Sequence, residues 1–275
     1  MSSAYTAVIG HRGLWRKSLD TCAAYVRIDL VEERMFPLTT ILRYAAVVFP
    51  VLLYFFQGTF LNATDAFVFM LIGASVTTGF QDALTALTNR LQFAQERGTL
   101  ETYLVEPVPW ALIPIAMNIW RTVTGTVMAC FMVAFGCLLG ARIEWRAIPF
   151  ALLIFLVGIA ACNAIGTLAA SFIILFKRGE PVIMLYSLAA AVLGGTLFPI
   201  SVLPDWIRWV SYLVPHSYVI SAERQLLMAN PPAEGLSPLT SLLVLVGFCM
   251  AMFAVGLVVF DRSLKLARKL GILSI

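Results

Sequence analysis

The stretch GGTLFPISVLPDWIRWVSYLVPHSYVISAERQL, residues 194–226, decides how the chain folds. Pro199, Pro204 and Pro215, with the charges Asp205, Arg208, Glu223 and Arg224, break it too often for one uninterrupted membrane-crossing helix. Each proline lacks an amide donor and limits helix continuation. Yet two tryptophans, two tyrosines and many branched aliphatics make it too apolar for a solvated loop. The runs on either side of it show which solvent it meets.

Of 275 residues, 60% are hydrophobic and only 12% are charged, with mean hydropathy +0.90. A soluble domain carries about 25% charged residues, so this chain cannot cover a water-facing surface. Lipid is the solvent for most of it. A span takes about 20 apolar residues. Six runs qualify: 37–57, 65–87, 113–139, 147–176, 181–199 and 238–260. Each must be helical, because lipid cannot satisfy open backbone groups. The expected fold is an all-α integral membrane protein. A cytoplasmic segment (1–36) precedes a six-span domain (37–260), and a basic cytoplasmic tail (261–275) follows it. The first twenty residues contain His11, Arg12, Arg16, Lys17 and Asp20 and no apolar core. The first span is therefore expected to act as its own insertion signal.

Lysines and arginines set the orientation. One set of flanks holds Arg12, Arg16, Lys17, Arg27 and Arg34, then Arg90, Arg97, Lys177 and Arg178, then Arg262, Lys265, Arg268 and Lys269, thirteen in all. The opposite set holds four: Arg142, Arg146, Arg208 and Arg224. Both termini are predicted to be cytoplasmic, and the opening stretch to face outward. Irregular backbone at membrane depth is tolerated only where protein or a water-filled cavity surrounds it. We therefore expect a re-entrant hairpin over about 195–228, with short helices at 205–214 and 217–228. Trp206, Trp209, Tyr212 and Tyr218 suit the headgroup level, and His216 reads as interfacial. The competing reading is an external loop that never dips.

Residues 18–36 place Leu19, Cys22, Ala23, Val26 and Leu30 on one helical face, which fits an amphipathic helix in the inner interface. In the second connection, Gly98 permits a turn and Pro107 ends a short helix over about 97–106. Glu96, Arg97, Glu101 and Glu106 alternate there with Leu100, Tyr103 and Leu104, a two-faced pattern suited to docking. The tail's basic residues are expected to sit on anionic lipid.

Charges within spans face protein or water. Arg43 and Asp82 lie at similar depth; they can pair with each other, Asp82 can pair with Arg121, or all three can line a polar path. Asn118, Asn163 and Gln57 are expected to hydrogen-bond between helices. The five cysteines form no CxxC pair and no metal-ligand spacing. Paired catalytic groups within the spans are missing, so no catalytic or metal site is assigned, and no nucleic-acid partner is implied.

Two stretches together resemble the membrane subunit of the type-two ATP-binding-cassette exporters. ERGTLETYLVEPVP, residues 96–109, resembles that family's coupling-helix segment. The opening stretch resembles its signature near the fifth span, supplied here by Gly194, Gly195, Phe198, Pro199, Leu203, Pro204, Pro215, Tyr218 and Arg224. The resemblance implies a half-transporter in the plasma membrane, that of a bacterial inner membrane. A second copy or a paralogous permease would complete the pore. Separate ATPase subunits would dock on Glu96, Arg97, Gly98, Thr99, Leu100, Glu101, Tyr103 and Leu104, while the hairpin would form an outer gate. ATP and magnesium would belong to the partner. None of the four lysines follows glycine, so the Walker loop that cradles phosphate is not expected here. The GTLE stretch is closest to the drug and lipid exporter branch. A glycan or glycolipid exporter is the alternative. An ion-coupled secondary transporter is a further rival, though inverted repeats are not evident.

Overall fold

The computed structural model describes residues 12–96, 112–176, 180–232 and 235–269. They form nine α-helices: α1 Arg12–Met35, α2 Pro37–Phe60, α3 Thr64–Glu96, α4 Leu112–Leu138, α5 Ile148–Phe176, α6 Glu180–Leu193, α7 Asp205–Ser211, α8 Pro215–Leu227 and α9 Pro238–Lys269. No strand occurs among the described residues. Prolines mark where helices begin. Pro37, Pro215 and Pro238 are first residues, and Pro149 and Pro181 are second. In a first turn the missing amide has no intrahelical partner to lose, and the fixed φ is already helical.

Helices α2, α3, α4, α5 and α9 are long and apolar enough to cross a membrane. The predicted starts agree with the structure to within a residue or so, but three ends do not: α2 runs three residues past 57. Helix α3 runs nine residues past 87, and α9 runs nine past 260. Hydropathy falls at Arg90 and Asp261, yet protein contacts continue. Tyr25 of α1, Leu87 and Leu91 of α3, Ile113 of α4, Ile173 of α5, and Phe260, Leu264 and Ala267 of α9 form one buried cluster. The tail predicted at 261–275 therefore begins as helix, with Leu264 and Ala267 packed on protein rather than on lipid. The face of α1 expected to meet the interface is not buried by the rest of the chain. Leu19 and Ala23 are exposed, and the side held by protein centres on Tyr25 and Asp29.

The fifth run departs most from its predicted bounds. Helix α6 has 14 residues, about 21 Å at 1.5 Å per residue, short of the roughly 30 Å hydrocarbon core. It ends at Gly194 and Gly195; the latter has φ +75°, a conformation glycine adopts without a Cβ penalty. After it come a 3₁₀ turn at Ile200–Val202, then α7 and α8.

Small residues let the long helices approach closely, as lipid-exposed bundles require. A Cβ on Gly125 of α4 would meet the Gly79 carbonyl of α3 at 2.8 Å. Threonines turn their hydroxyls onto their own helix: Thr77 onto the Gly73 carbonyl, Thr126 onto Thr122 and Thr167 onto Asn163. That satisfies donors an apolar interior would otherwise leave unpaired. We expect Gly125→Val to overpack the α3–α4 contact at a cost of about 1–3 kcal/mol, read as a lower unfolding temperature of the purified protein. Gly247→Val, at a position with open space around its Cβ, should leave that temperature unchanged.

Candidate functional site

Two polar constructions stand out in this apolar bundle. The first lies along α3. Gln81, Thr85 and Asn89 recur at intervals of four, so they share one helix side, and that side is exposed or half-exposed. Facing them across a cleft of about 390 Å³ are Ile183, Met184, Ser187 and Leu188 of α6. The Ser187 hydroxyl donates to Gln81 Oε1 at 3.0 Å. One wall offers amides and hydroxyls, while the other is mostly aliphatic. A side of α3 with this polarity does not suit lipid.

Asp82 stands next to this stripe and forms an ion pair with Arg43 of α2. Each of the two side chains is about a quarter exposed. Arg121 of α4 is close enough to repel Arg43, and Glu33 of α1 attracts it. Of the pairings open to the sequence, the structure forms Arg43–Asp82. Asn163 donates to Thr122 at 3.0 Å, joining α5 to α4. Asn118 is buried with its side-chain Oδ1 unpartnered, and Gln57 is exposed. The expected interhelical bonding therefore holds for Asn163 alone of the three.

The second construction organises residues 194–228. Arg224 is only 4% exposed. Its Nη1 donates to the Gly195 carbonyl at 2.7 Å and Nη2 to that of Thr196 at 2.8 Å. Nε and Nη2 both reach the Phe69 carbonyl of α3, at 3.2 and 3.0 Å. The guanidinium stacks 3.3 Å above the centre of the Phe69 ring, a cation–π arrangement. One side chain thus ties α8, the bend after α6, and α3. The Thr77 and Thr196 hydroxyls bond at 2.9 Å beside it.

The other end of α8 is held equally firmly. His216, expected at the interface, is 1% exposed. It packs edge-on against Phe80 at 4.8 Å and bonds the Tyr186 hydroxyl at 3.2 Å. Phe80 lies sixteen residues into α3, about 24 Å from its start. The chain just past α8 returns to that start, where Asn230 donates to Asp65 at 3.3 Å, and Glu144 N, between α4 and α5, donates to the Leu227 carbonyl at 3.1 Å. Glu223 is also buried, and its Oε1 has no partner. The sequence shows Glu223 and Arg224 only as charges that interrupt residues 194–226, with Arg224 also in the hairpin signature. The burial of Arg224 comes from contacts with α3 that lie far away along the chain.

The remaining predicted residues fall as follows. Gly194 is buried, Pro199 and Pro204 precede the 3₁₀ turn and α7, and Phe198 is half-buried. Leu203 presents its carbonyl to Arg208 at 2.9 Å. Pro215 opens α8, and Tyr218 donates to the Tyr212 carbonyl at 2.8 Å. Glu96 ends α3, while Arg97, Gly98, Thr99, Leu100, Glu101, Tyr103 and Leu104 lie outside the described residues. Among the described residues no cluster of His, Cys, Asp and Glu could hold a metal.

The family model of the ABC-2 type transporter matches residues 34–228, more than half of the chain. The chain belongs to the ABC-2 type transporter family. It is a multi-pass membrane permease component of an ABC exporter, and permeases of this family work with ATPase subunits rather than catalysing the reaction themselves. A search of curated proteins finds no match to this permease. The matched region takes in the polar side of α3, the Arg43–Asp82 pair and the Arg224 clamp. It leaves out α9 and nearly all of α1.

Proposed function

We propose that this permease, paired with a second copy, moves an amphipathic drug-like or lipid-like substrate outward between the two subunits. The observation that carries this reading is the two-toned cleft: Gln81, Thr85 and Asn89 opposite Met184 and Leu188. Such a cleft suits a ligand with one polar and one apolar end. In the dimer the cleft would open onto the shared path. Six spans, counting α6 with residues 194–228 as the fifth crossing, put both termini in the cytoplasm of a bacterial inner membrane. The anchoring of α8 between Phe80 and the start of α3 favours a re-entrant hairpin over a surface loop, because one end of α8 would lie deep in the bilayer. Trp206 and Trp209, both exposed, would sit at the headgroups. This hairpin is the outer gate.

A separate ATPase subunit would dock on Glu96 and residues 97–106, and its closure on ATP would push α3. In vesicles carrying both proteins, transport should require ATP and stop with vanadate. Gln81→Leu/Asn89→Leu should lower transport about tenfold, equivalent to about 1.4 kcal/mol of lost polar contact, while unfolding temperature stays constant. Transport by the permease without any ATPase, or full transport by the double variant, contradicts this function. A cysteine at Leu100 should crosslink to the ATPase; no crosslink from any position over 97–106 removes the docking assignment.

A further inference from the structure

Helix α1 has three sides rather than two. With 100° per residue, positions seven and eleven apart return to within about 20° of one another. Arg16, Arg27 and Arg34 are so spaced, and all three are exposed. They form one stripe, with Asp20 also on it. No ion pair among the described residues involves any of the three arginines. A second, neighbouring sector carries Ile28, Val31 and Met35, which are 57%, 47% and 68% exposed. The third sector faces protein: Tyr25 and Asp29 are buried, Asp29 pairs with Arg90 of α3, and that guanidinium lies 5.9 Å from the Tyr25 ring centre. Glu32 and Glu33 point away from the arginine stripe by the same helical geometry.

We propose that the Arg16–Arg27–Arg34 stripe is a binding site for acidic phospholipid headgroups. The proposal rests on α1 lying in the inner interface of the bilayer, as the pattern of residues 18–36 leads one to expect, and on the membrane orientation of the reading above. The geometry favours lipid over a protein partner. Only Phe36 separates α1 from α2, whose exposed Leu38, Ile41 and Leu42 continue the apolar sector of α1 onto a membrane-crossing surface. Continuity with that surface puts the arginines at headgroup height. Guanidinium forks match phosphate oxygens in a bidentate way. Three arginines against one aspartate leave a net attraction for acidic over zwitterionic lipid, and each basic residue near such a surface contributes about a fivefold preference. The third sector fixes the helix in this rotation, so the stripe cannot roll into the protein.

The test uses the full chain with its five cysteines replaced by alanine and Ile28→Cys carrying a fluorophore. It is placed in bilayers containing bromine-labelled phosphatidylglycerol or bromine-labelled phosphatidylcholine, diluted in unlabelled lipid. We expect stronger quenching by phosphatidylglycerol, and parity between the lipids in R16Q/R27Q/R34Q. Equal quenching by both lipids in the parent chain overturns the headgroup site while leaving α1 at the bilayer. No quenching by either lipid shows α1 covered by something else and overturns the interfacial reading as well. Loss of preference in K265Q/K269Q but not in the arginine variant assigns it to α9 instead. Native mass spectrometry of the unmodified chain against R16Q/R27Q/R34Q, from mixed-lipid micelles, needs no label. More phosphatidylglycerol adducts on the unmodified chain support the site, and equal numbers overturn it.

Discussion

Arg224→Ala should cost this permease most of its folded yield. The substitution leaves the Gly195 and Thr196 carbonyls without their donors inside the protein and opens a void above Phe69. Each buried polar group left unsatisfied costs about 1–3 kcal/mol, so two of them remove about 2–6 kcal/mol. That is a large share of a total stability of about 5–15 kcal/mol. Arg224→Lys should recover little. Its single ammonium cannot reach three carbonyls in the plane of a fork, nor stack as guanidinium does. Arg208→Ala provides the contrast. Arg208 also donates to two carbonyls, of Ser201 and Leu203, both at 2.9 Å, but its side chain is about a third exposed and water can replace it. Yield from membranes and unfolding temperature in detergent measure all three. A stable Arg224→Lys protein would show that positive charge suffices and that the fork geometry is unimportant.

That residue also shows how far the sequence could be read. Residues 194–226 announced a broken helix through proline and glycine, which act locally, and the breaks fall near Gly194, Pro204 and Pro215 as expected. The spans were legible for the same reason: hydropathy over about 20 residues is a property of the segment itself. Where α3 and α9 end was not legible, because Leu91 and Leu264 are buried by other helices. The fate of His216 and Arg224 depended on Phe80 and Phe69, more than a hundred residues earlier. The polar side of α3 left a signal that could have been found: Gln81, Thr85 and Asn89 keep helical spacing in a run otherwise bound for lipid. Asp29 and Arg90 left none, since each looks like an ordinary cytoplasmic charge until the two helices meet.

The Arg43–Asp82 pair makes an asymmetric prediction. Asp82→Asn should destabilise the permease more than Arg43→Gln does. Removing the carboxylate leaves Arg43 and Arg121 repelling each other at a partly buried site, offset in part by Glu33. Removing Arg43 leaves Asp82 without its partner but creates no like-charge repulsion. Breaking one partner of a fully buried pair costs about 3–5 kcal/mol; with a quarter of each side chain exposed, we expect about 1–3 kcal/mol for Asp82→Asn and roughly half of that for Arg43→Gln. The double variant R43Q/D82N should regain unfolding temperature over D82N alone, because no lone charge from the pair remains. Its transport per folded molecule should stay within a few-fold of the parent, since Gln81 and Asn89, rather than the ion pair, face the cleft. If R43Q/D82N folds well yet carries nothing, the pair belongs to the path. The boundary of the polar route must then move from the α3–α6 cleft toward α2 and α4.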